Sequence, residues 1–286
     1  MAKQSDMAGR ICVVTGATRG IGRAAAEGLA RRGATVVMIA RRPDEAAKVA
    51  QNIAARSPVP PAVIPGDLSS QQSIRDAARE LARLYPHLHV LINNAGVFTR
   101  RREVTIDGVE LQFAVNHLAY YLLTNLLLDQ LRAGAPARII NVASAAHAGA
   151  RIDFEDLQGN RSYQGSRAYS QSKLANILFT YELARRLTGS GITVNCLHPG
   201  VIATRLLADY IGVPLAGRAL ASTFGAKPEL GADTVIYLAT SPELEDVSGK
   251  YFENTRPIRS SRESYDEATA RRLWDVSAAM TGLTSA

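Results

Sequence analysis

The residues in this chain that most suggest chemistry are Tyr169 and Lys173, four positions apart in the sequence YSQSK. An apolar helical pattern continues beyond them, and positions i and i+4 share one face of a helix. A cation near a tyrosine favours the phenolate and lowers a pKa that is ordinarily near ~10. A phenol tuned in this way can give or take a proton where a carbonyl and an alcohol interconvert. Many Tyr–Lys pairs at this spacing only pack on a surface, so the function depends on what the remaining chain supplies.

Composition limits the class of protein. The chain has 286 residues, 47% of them hydrophobic, which suits one α/β domain over residues 1–286, and nothing indicates a second. Cys12 and Cys196 lie in separate apolar, β-branched runs, as is typical of buried thiols in a reducing compartment. We therefore expect a cytoplasmic protein.

Charge and hydropathy limit the classes of partner that the protein is expected to bind. The net charge of +7 comes from arginines scattered along the chain, whereas a nucleic-acid site gathers basic residues on one face of a recognisable module. Residues 1–10 are polar, and no stretch reaches the ~18 uninterrupted apolar residues that a membrane span needs. We expect neither a nucleic-acid partner nor a membrane anchor.

A glycine-rich turn follows the first predicted strand, residues 11–14. The turn reads TGATRGIG and contains Gly16, Gly20 and Gly22 before a helical pattern over residues 23–32. A strand, such a turn and a helix N-terminus form a phosphate cradle, because free backbone N–H groups and the helix dipole point at the anion. The spacing GxxxGxG differs from the commoner dinucleotide fingerprint, and a tight connection without a ligand is the alternative.

The end of the second predicted strand, residues 34–40, indicates which dinucleotide binds. An NAD site has an acidic residue there for the ribose 2′-OH, whereas an NADP site has basic groups for the 2′-phosphate. This chain has Arg41 and Arg42, with no acid before Asp44, and Arg19 in the glycine turn is a third cation. The pattern favours NADP(H) over the alternative of a solvated arginine pair.

Two further strands end in small or polar residues. After the predicted strand at 62–64 comes Asp67, which is placed either to contact an adenine or merely to cap the next helix. The predicted strand at 89–92 runs into NNAG at residues 93–96. Small and amide-bearing side chains let the backbone approach a ligand at this point.

Asn116 and Ser144 are polar residues in otherwise apolar surroundings. Asn116 lies within a helix predicted over residues 107–131, where a buried amide needs a partner or a function. Ser144 follows a strand predicted at 138–143, and ligands bind at the carboxyl ends of strands in an open parallel sheet.

The apolar surface of the helices bears on assembly. The helix predicted at 107–131 and the one starting near Tyr169 have more apolar surface than one sheet face can cover, which predicts a homo-oligomer such as a homodimer. The alternative is that a C-terminal helix, predicted over residues 264–280 with Trp274, covers it within one chain.

Residues 205–226 mix apolar side chains with three glycines and follow Thr204. That composition is typical of a mobile flap over a substrate. Because small-molecule pockets are mostly apolar, we expect a bulky, largely apolar substrate. An ordinary surface helix is the alternative interpretation.

Alternating strands and helices, with a glycine turn after the first strand, predict an α/β fold: a single doubly wound parallel sheet, the Rossmann fold, with helices on both faces. Taken in order, TGATRGIG, Asp67-Leu68, NNAG, Asn116, Ser144, YSQSK and HPG resemble the short-chain dehydrogenase/reductase family over essentially the whole chain. The segments HAGARIDFEDLQ and LHPGVIATRL are similar to its retinol dehydrogenase-like group.

The resemblance implies a role for each matched residue. Tyr169 would be the general acid/base, and Lys173 would hold the nicotinamide ribose and lower the tyrosine pKa. Ser144 would hydrogen-bond the substrate oxygen, and Asn116 would keep a water in a proton relay behind Lys173. No metal is implied. The residues implied at the NADP(H) cofactor are Gly16, Thr18, Arg19, Gly20, Ile21, Gly22, Arg41, Arg42, Asp67, Leu68, Asn93, Ala95, Gly96, Tyr169, Lys173, Pro199, Gly200 and Thr204.

The sequence thus predicts an NADP(H)-dependent oxidoreductase that interconverts a bulky, apolar aldehyde or ketone with its alcohol by hydride transfer. One alternative is a non-catalytic NADP(H)-binding sensor or scaffold, since a fold does not fix a function. A complete catalytic set argues against it. An epimerase or dehydratase ranks lower, because such enzymes in the extended branch of the family have a different glycine spacing and a larger C-terminal domain.

Overall fold

The computed structural model describes residues 6–200, 202, 206, 210 and 227–283. Its strands form one eight-stranded sheet in the order β3-β2-β1-β4-β5-β6-β7-β8, parallel except for β8, which runs antiparallel to β7. The strands are β1 Ile11–Thr15, β2 Thr35–Ala40, β3 Ala62–Pro65, β4 Val90–Asn93, β5 Ala137–Val142, β6 Ile192–Leu197, β7 Tyr251–Glu253 and β8 Arg256–Ile258. The strand order reverses between β1 and β4, so a crevice for a ligand is expected at their carboxyl ends.

Helices cover both faces of this sheet, as the fold prediction requires. They are α1 Gly20–Arg31, α2 Pro43–Ala54, α3 Gln71–Leu84, α4 Leu111–Phe113, α5 Ala119–Leu126, α6 Leu128–Ala133, α7 Gly165–Arg186, α8 Pro228–Thr240 and α9 Glu267–Thr281. Helices α1, α2 and α8 bury one apolar cluster against the sheet, and α3, α5, α7 and α9 bury another on the opposite face. Because both faces are covered, the central strands are mostly apolar. The prediction of a Rossmann fold is confirmed.

The helix predicted over residues 107–131 differs from the structure in three ways. It begins at Leu111, because Glu110 caps it by accepting hydrogen bonds from the next backbone N–H groups. A π-helical turn, Ala114–Leu118, then interrupts the α-helical pattern before α5. The helix also ends at Leu126, and α6 is a separate helix. Single-turn π segments are frequent at functional sites, and this one contains Asn116.

A β-hairpin at the sheet edge was not predicted from the sequence. The strand predicted at 249–252 is β7, and β8 returns beside it after a two-residue turn. Both turn residues, Asn254 (φ 47°) and Thr255 (φ 62°), are left-handed, as a type I′ turn requires. That turn ordinarily contains glycine, and Asn-Thr gave no such signal.

The C-terminal helix α9 covers the apolar side of α5 and α7 within the chain. Trp274 packs edge-on to Tyr121, with ring centroids 4.9 Å apart, and stacks on Phe179 at 5.9 Å. The surface that motivated the homo-oligomer prediction is therefore already covered, and that prediction loses this support. Among the described residues, no helix has the length and apolar character to cross a membrane.

The two cysteines are buried and unpaired, as predicted. Burial raises the pKa of both Cys12 and Cys196 to about 12. A thiol with so high a pKa carries almost no thiolate at neutral pH and is chemically inert.

Candidate active site

The glycine turn lies directly against the segment that follows β4. A Cβ at Gly16 would be 2.9 Å from Ala95 Cα, and one at Gly22 would be 2.3 Å from Asn94 Nδ2 and 2.5 Å from Gly16 O. Gly20 is left-handed, with φ +56°. Only glycine fits these positions, so the close approach of the two loops explains the GxxxGxG spacing.

Hydrogen bonds fix the two loops to each other. Thr15 Oγ1 accepts from the backbone N–H groups of Asn94 and Ala95, at 2.9 and 3.1 Å. Asn94 Nδ2 donates to Thr15 O at 2.8 Å, and the Tyr120 hydroxyl donates to Ala95 O at 2.8 Å. The carboxyl ends of β1 and β4 therefore form one rigid edge.

Tyr169 and Lys173 come together on the first turns of α7, as predicted. Lys173 Nζ lies 5.6 Å from the centroid of the Tyr169 ring and donates to Val142 O at 3.0 Å. Both side chains are buried, at 6% and 2% exposure. A Cβ at Gly96 would be 3.6 Å from Lys173 Nζ, so the segment after β4 reaches the Tyr169–Lys173 pair.

Asn116 pairs with the backbone beside that contact. Val97 N donates to Asn116 Oδ1 at 2.8 Å, and Asn116 Nδ2 donates to Val97 O and to Ser172 Oγ, both at 3.0 Å. The side chain thus holds residue 97 against α7. A water relay behind Lys173 stays a prediction, since the amide of Asn116 is occupied by protein partners.

Ser144 lies at the carboxyl end of β5 and begins a 3₁₀ turn, Ala145–His147, by accepting from Ala146 N at 3.2 Å. His147 holds the serine backbone: its Nδ1 lies 2.7 Å from Ser144 O, and its Nε2 accepts from Ser261 N at 3.1 Å. These partners assign the proton to Nδ1. The C-terminal segment is thereby connected to the site.

Burial is the largest cause of the pKa shifts of Tyr169 and Lys173. It lowers the pKa of Lys173 to about 7 and raises the pKa of Tyr169 above its ordinary value, with the nearby Ser144 hydroxyl acting in the opposite direction. The pKa of Lys173 falls because desolvation disfavours the charged ammonium. The lowering of the tyrosine pKa by Lys173 stays a prediction.

The other implied cofactor residues lie at the same edge, in varied settings. Arg41 and Arg42 are exposed at the end of β2, and Arg42 forms an ion pair with Glu45 at 2.6 Å. Asp67 accepts from the backbone and the hydroxyl of Ser69, at 2.9 and 2.7 Å. The carboxylate closes a turn just before α3, whose N-cap is Ser70, so the adenine contact of Asp67 stays a prediction.

Asn93 is fully buried, and its Nδ2 donates to Thr124 Oγ1 and Asn141 Oδ1, both at 2.9 Å. Its side chain ties strands β4 and β5 to α5, and it is the neighbouring Asn94 that faces the glycine turn.

The loop after β6 is described as far as Gly200. That glycine is left-handed, with φ +84°, and its N–H donates to His198 Nδ1 at 3.0 Å. His198 Nε2 lies 2.8 Å from Glu253 Oε1, which fixes the approach of Pro199. Thr204 and most of the flap predicted at residues 205–226 lie outside the described residues.

Two described residues of that segment contact the site. The ring of Tyr210 lies 5.4 Å from that of Tyr169 and 5.2 Å from that of Phe98, which itself packs edge-on to Tyr169 at 5.9 Å. Leu206 Cδ1 would be 3.6 Å from a Cβ at Gly96. Sequence reasoning missed Phe98, for which an aromatic residue two positions after NNAG was the available signal.

The comparisons with known proteins agree with this geometry. The sequence model of the family described as short chain dehydrogenase matches residues 10–211. The chain belongs to the short-chain dehydrogenase/reductase family, whose members are NAD(P)-dependent oxidoreductases that interconvert carbonyl and alcohol groups.

Within that family the chain is a member of the retinol dehydrogenase-like group. It is 46% identical to mouse retinol dehydrogenase 14, over 97% of this chain and 87% of the relative. It is 44% identical to human retinol dehydrogenase 13, over 98% of this chain and 87% of the relative.

Solved structures give the same fold. An uncharacterized protein from Mycobacterium paratuberculosis is similar with a TM-score of 0.81 and 34% identity, over 99% of this chain and 97% of that one. The NADP active-site complex of RhlG from Pseudomonas aeruginosa is similar with a TM-score of 0.70 and 29% identity, over 92% and 98% of the two chains.

The described residues fit a nicotinamide dinucleotide. The N-terminus of α1 follows the glycine turn, and the side chain of its N-cap residue, Arg19, does not cap it. Its first backbone N–H groups, from Gly20, Ile21 and Gly22, are thus suited to a pyrophosphate.

Proposed function

We propose that this protein is an NADP(H)-dependent oxidoreductase that interconverts a carbonyl and an alcohol on a bulky, largely apolar substrate, with Tyr169 as the general acid/base. The observation that carries the proposal is the convergence of Tyr169 and a buried Lys173 beside Gly96, at the edge where the glycine turn ends. A buried lysine is costly, and a purely structural protein would gain nothing from it.

The proton chemistry follows from the side chains. In the direction of reduction, Tyr169 gives its proton to the carbonyl oxygen while the Ser144 hydroxyl hydrogen-bonds that oxygen. With a pKa of about 7, Lys173 can release and take up a proton at neutral pH, as proton transfer near pH 7 requires. When bound, the nicotinamide supplies or accepts the hydride.

The choice of NADP(H) is supported by the cations at the end of β2. Arg41 and Arg42 are exposed there, and the ion pair of Arg42 with Glu45 lies at the surface, at 54% and 49% side-chain exposure. Exposed pairs contribute only ~0–1 kcal/mol, so a 2′-phosphate can compete for the guanidinium. Bidentate arginine contacts to a phosphate are stronger than that pair.

The substrate class is supported by the aromatic surroundings of Tyr169. Phe98 and Tyr210 pack against its ring, and Leu206 approaches Gly96, so apolar groups surround the expected polar anchors. The relatives are named for retinol, which is itself a bulky apolar alcohol.

The cofactor proposal is tested by comparing kcat/KM for NADPH and NADH with one carbonyl substrate. We expect NADPH to be preferred and the joint replacement Arg41→Ser with Arg42→Ser to erode that preference, leaving kcat with NADPH much less affected. Equal kcat/KM for the two nucleotides in the parent protein would exclude the proposal.

The substrate proposal is tested by kcat/KM along a series of aldehydes and ketones of rising apolar size. Each further CH₂ that is buried can add up to ~0.8 kcal/mol of binding. A flat series, or a preference for a small charged substrate, would count against it. Tight NADPH binding with no turnover on any carbonyl or alcohol would favour the sensor or scaffold instead.

The homo-oligomer and the cytoplasmic location stay predictions.

A further inference from the structure

Glu110 is a buried carboxylate that the proposed chemistry does not use. Its side chain is 1% exposed. It accepts from the backbone N–H groups of Gln112 and Phe113 at 2.9 and 2.7 Å, which caps α4. It also accepts from the hydroxyl of Tyr163 at 2.9 Å. Capping accounts for the first two bonds and leaves the third unexplained.

The hydrogen bond from Tyr163 to Glu110 connects the N-terminal cap of α4 to the start of α7, the helix that carries Tyr169 and Lys173. Gln112 Nε2 donates to the Tyr163 hydroxyl at 2.7 Å and to Gly165 O at 3.0 Å, and Gly165 is the first residue of α7. A Cβ at Gly165 would be 2.2 Å from Thr99 O. The α4 cap, the loop after β4 and the N-terminus of α7 therefore meet at one buried polar cluster.

Each of these three elements ends at a site residue. Helix α4 leads directly into the π-helical turn with Asn116. Helix α7 presents Tyr169 one turn after its start. The loop runs back from Thr99 through Phe98, which packs on Tyr169, to Val97, which Asn116 holds by two hydrogen bonds. A displacement of the residues in this polar cluster would therefore be transmitted to the site through α4, through α7 and through the loop after β4.

We propose that Glu110 is a positioning residue, whose carboxylate, through Tyr163 and Gln112, sets the separation between the Asn116 turn and the Tyr169 helix. The inference rests on the oxidoreductase function proposed above.

Burial and hydrogen bonding act on the pKa of Glu110 in opposite directions. Burial raises the pKa of Glu110, and the hydrogen bonds from Gln112 and Phe113 act in the opposite direction. A buried acid is retained at a cost. Ser70 caps α3 through its hydroxyl, so capping alone does not require a buried acid.

The sharpest test is Tyr163→Phe, because it removes one hydroxyl and leaves the cap of α4 intact. Displacing reacting groups by a fraction of an ångström lowers turnover steeply, so we expect kcat to fall about tenfold or more. KM for NADPH should stay within about twofold, since the cluster does not touch the glycine turn. The matched control is Tyr237→Phe on α8, which removes another Tyr–Glu hydrogen bond, to Glu243 at 3.3 Å just beyond that helix, and should leave kcat unchanged.

A second pair of variants separates positioning from capping. Asp266 caps α9 as Glu110 caps α4, by accepting from the N–H groups of Ala268 and Thr269 at 3.0 and 3.1 Å. We expect Glu110→Ala and Asp266→Ala both to lower the melting temperature, but only Glu110→Ala to lower kcat per folded molecule. Glu110→Gln, which keeps the length of the side chain, should recover part of the lost kcat.

The outcomes are distinct. Parental kcat in Tyr163→Phe, or equal loss of kcat per folded molecule in Glu110→Ala and Asp266→Ala, would overturn the positioning role while leaving the oxidoreductase proposal standing. Absence of turnover in the parent protein on the whole carbonyl panel would instead refute the function on which this inference rests.

Discussion

Asn116 and Val97 are joined by two hydrogen bonds, with Val97 N donating to Asn116 Oδ1 at 2.8 Å and Asn116 Nδ2 donating to Val97 O at 3.0 Å. A side-chain amide on a helix thus pairs with a loop backbone as a neighbouring strand would. Because Val97 follows Gly96, the pairing holds the backbone of the loop beside Lys173. The π-helical turn supplies the position from which the amide does so.

Replacing Asn116 by Ala should affect both stability and turnover. The change leaves the partly buried N–H and C=O of Val97 without their side-chain partner, and an unsatisfied buried group costs about 1–3 kcal/mol. We expect the free energy of unfolding to fall by about that amount and kcat to fall as well, because Gly96 is no longer held against α7. Urea unfolding and steady-state kinetics measure the two effects.

Asn195 provides a matched control for that variant. Its amide makes the same kind of double contact with the backbone, from Nδ2 to Val247 O at 2.6 Å and from Lys250 N to Oδ1 at 3.0 Å. Asn195→Ala should lose similar stability and keep the kcat of the parent. If Asn116→Ala kept parental kcat as well, the pairing with Val97 would be structural only.

Tyr169→Phe should abolish most of the turnover without disturbing the fold. The change removes the proton donor and keeps the ring that packs against Phe98 and Tyr210. Loss of a general acid/base typically lowers kcat by about 10²–10⁴-fold, while NADPH affinity, measured by fluorescence titration, should change little. Tyr181→Phe, on the same helix but bonded to Ser260, should keep its activity. Near-parental turnover in Tyr169→Phe would exclude the acid/base role.

Lys173→Met should change how stability depends on pH. The pKa of Lys173 is lowered by burial from 10.5 to about 7 in the folded protein, so between these values the unfolded chain binds a proton that the folded chain does not. The free energy of unfolding therefore gains a contribution that rises with pH across this window and is flat below it. The variant lacks this contribution, since methionine does not titrate.

The comparison of parent and variant is made by chemical unfolding between pH 6 and pH 9. Stability of the variant relative to the parent should be greatest near pH 6 and should shrink above pH 7, by at most about 1.4 kcal/mol per pH unit. Turnover should be lost at every pH. A stability difference that stays constant up to pH 9 would show that Lys173 is protonated in the folded protein throughout.

The sequence was sufficient for the parallel strands and for the pairing of Tyr169 with Lys173 on one helix, for physical reasons. Central parallel strands are apolar on both faces and are bounded by glycines, so β1 and β6 were predicted to within one residue. Tyr169 and Lys173 meet because a helix fixes the i, i+4 geometry. These signals are local, so they can be recognised from the residues of each segment alone.

What the sequence did not reveal depends on distant contacts. Glu110 lies 53 positions from Tyr163, and no pattern near either residue indicates that they meet. The pKa of Lys173 depends on burial under other elements and not on its neighbours in the chain. The π-helical turn at Asn116 inserts a residue into a helix without any side-chain signature, so a uniform helix was the natural prediction.

The glycine turn allows a test that does not depend on the substrate. A Cβ at Gly22 would lie 2.5 Å from Gly16 O and 2.3 Å from Asn94 Nδ2, so Gly22→Ala forces the turn and the Asn94 side chain apart. Overpacking of this kind costs about 1–3 kcal/mol. The backbone N–H groups expected at the pyrophosphate move with the turn, so the Kd for NADPH should rise about tenfold or more.

Gly28 is the matched control on the same helix. A Cβ added at Gly28 would meet only the side chain of Ile236, at 2.3 Å from Cδ1. The end of an isoleucine side chain can change its rotamer to make room, whereas a backbone atom cannot. Alanine also gains about 1 kcal/mol over glycine within a helix, which offsets that adjustment. Gly28→Ala should therefore bind NADPH as the parent does, with a similar melting temperature. Parental NADPH affinity in Gly22→Ala, measured by the same fluorescence titration, would mean that the turn does not hold the cofactor.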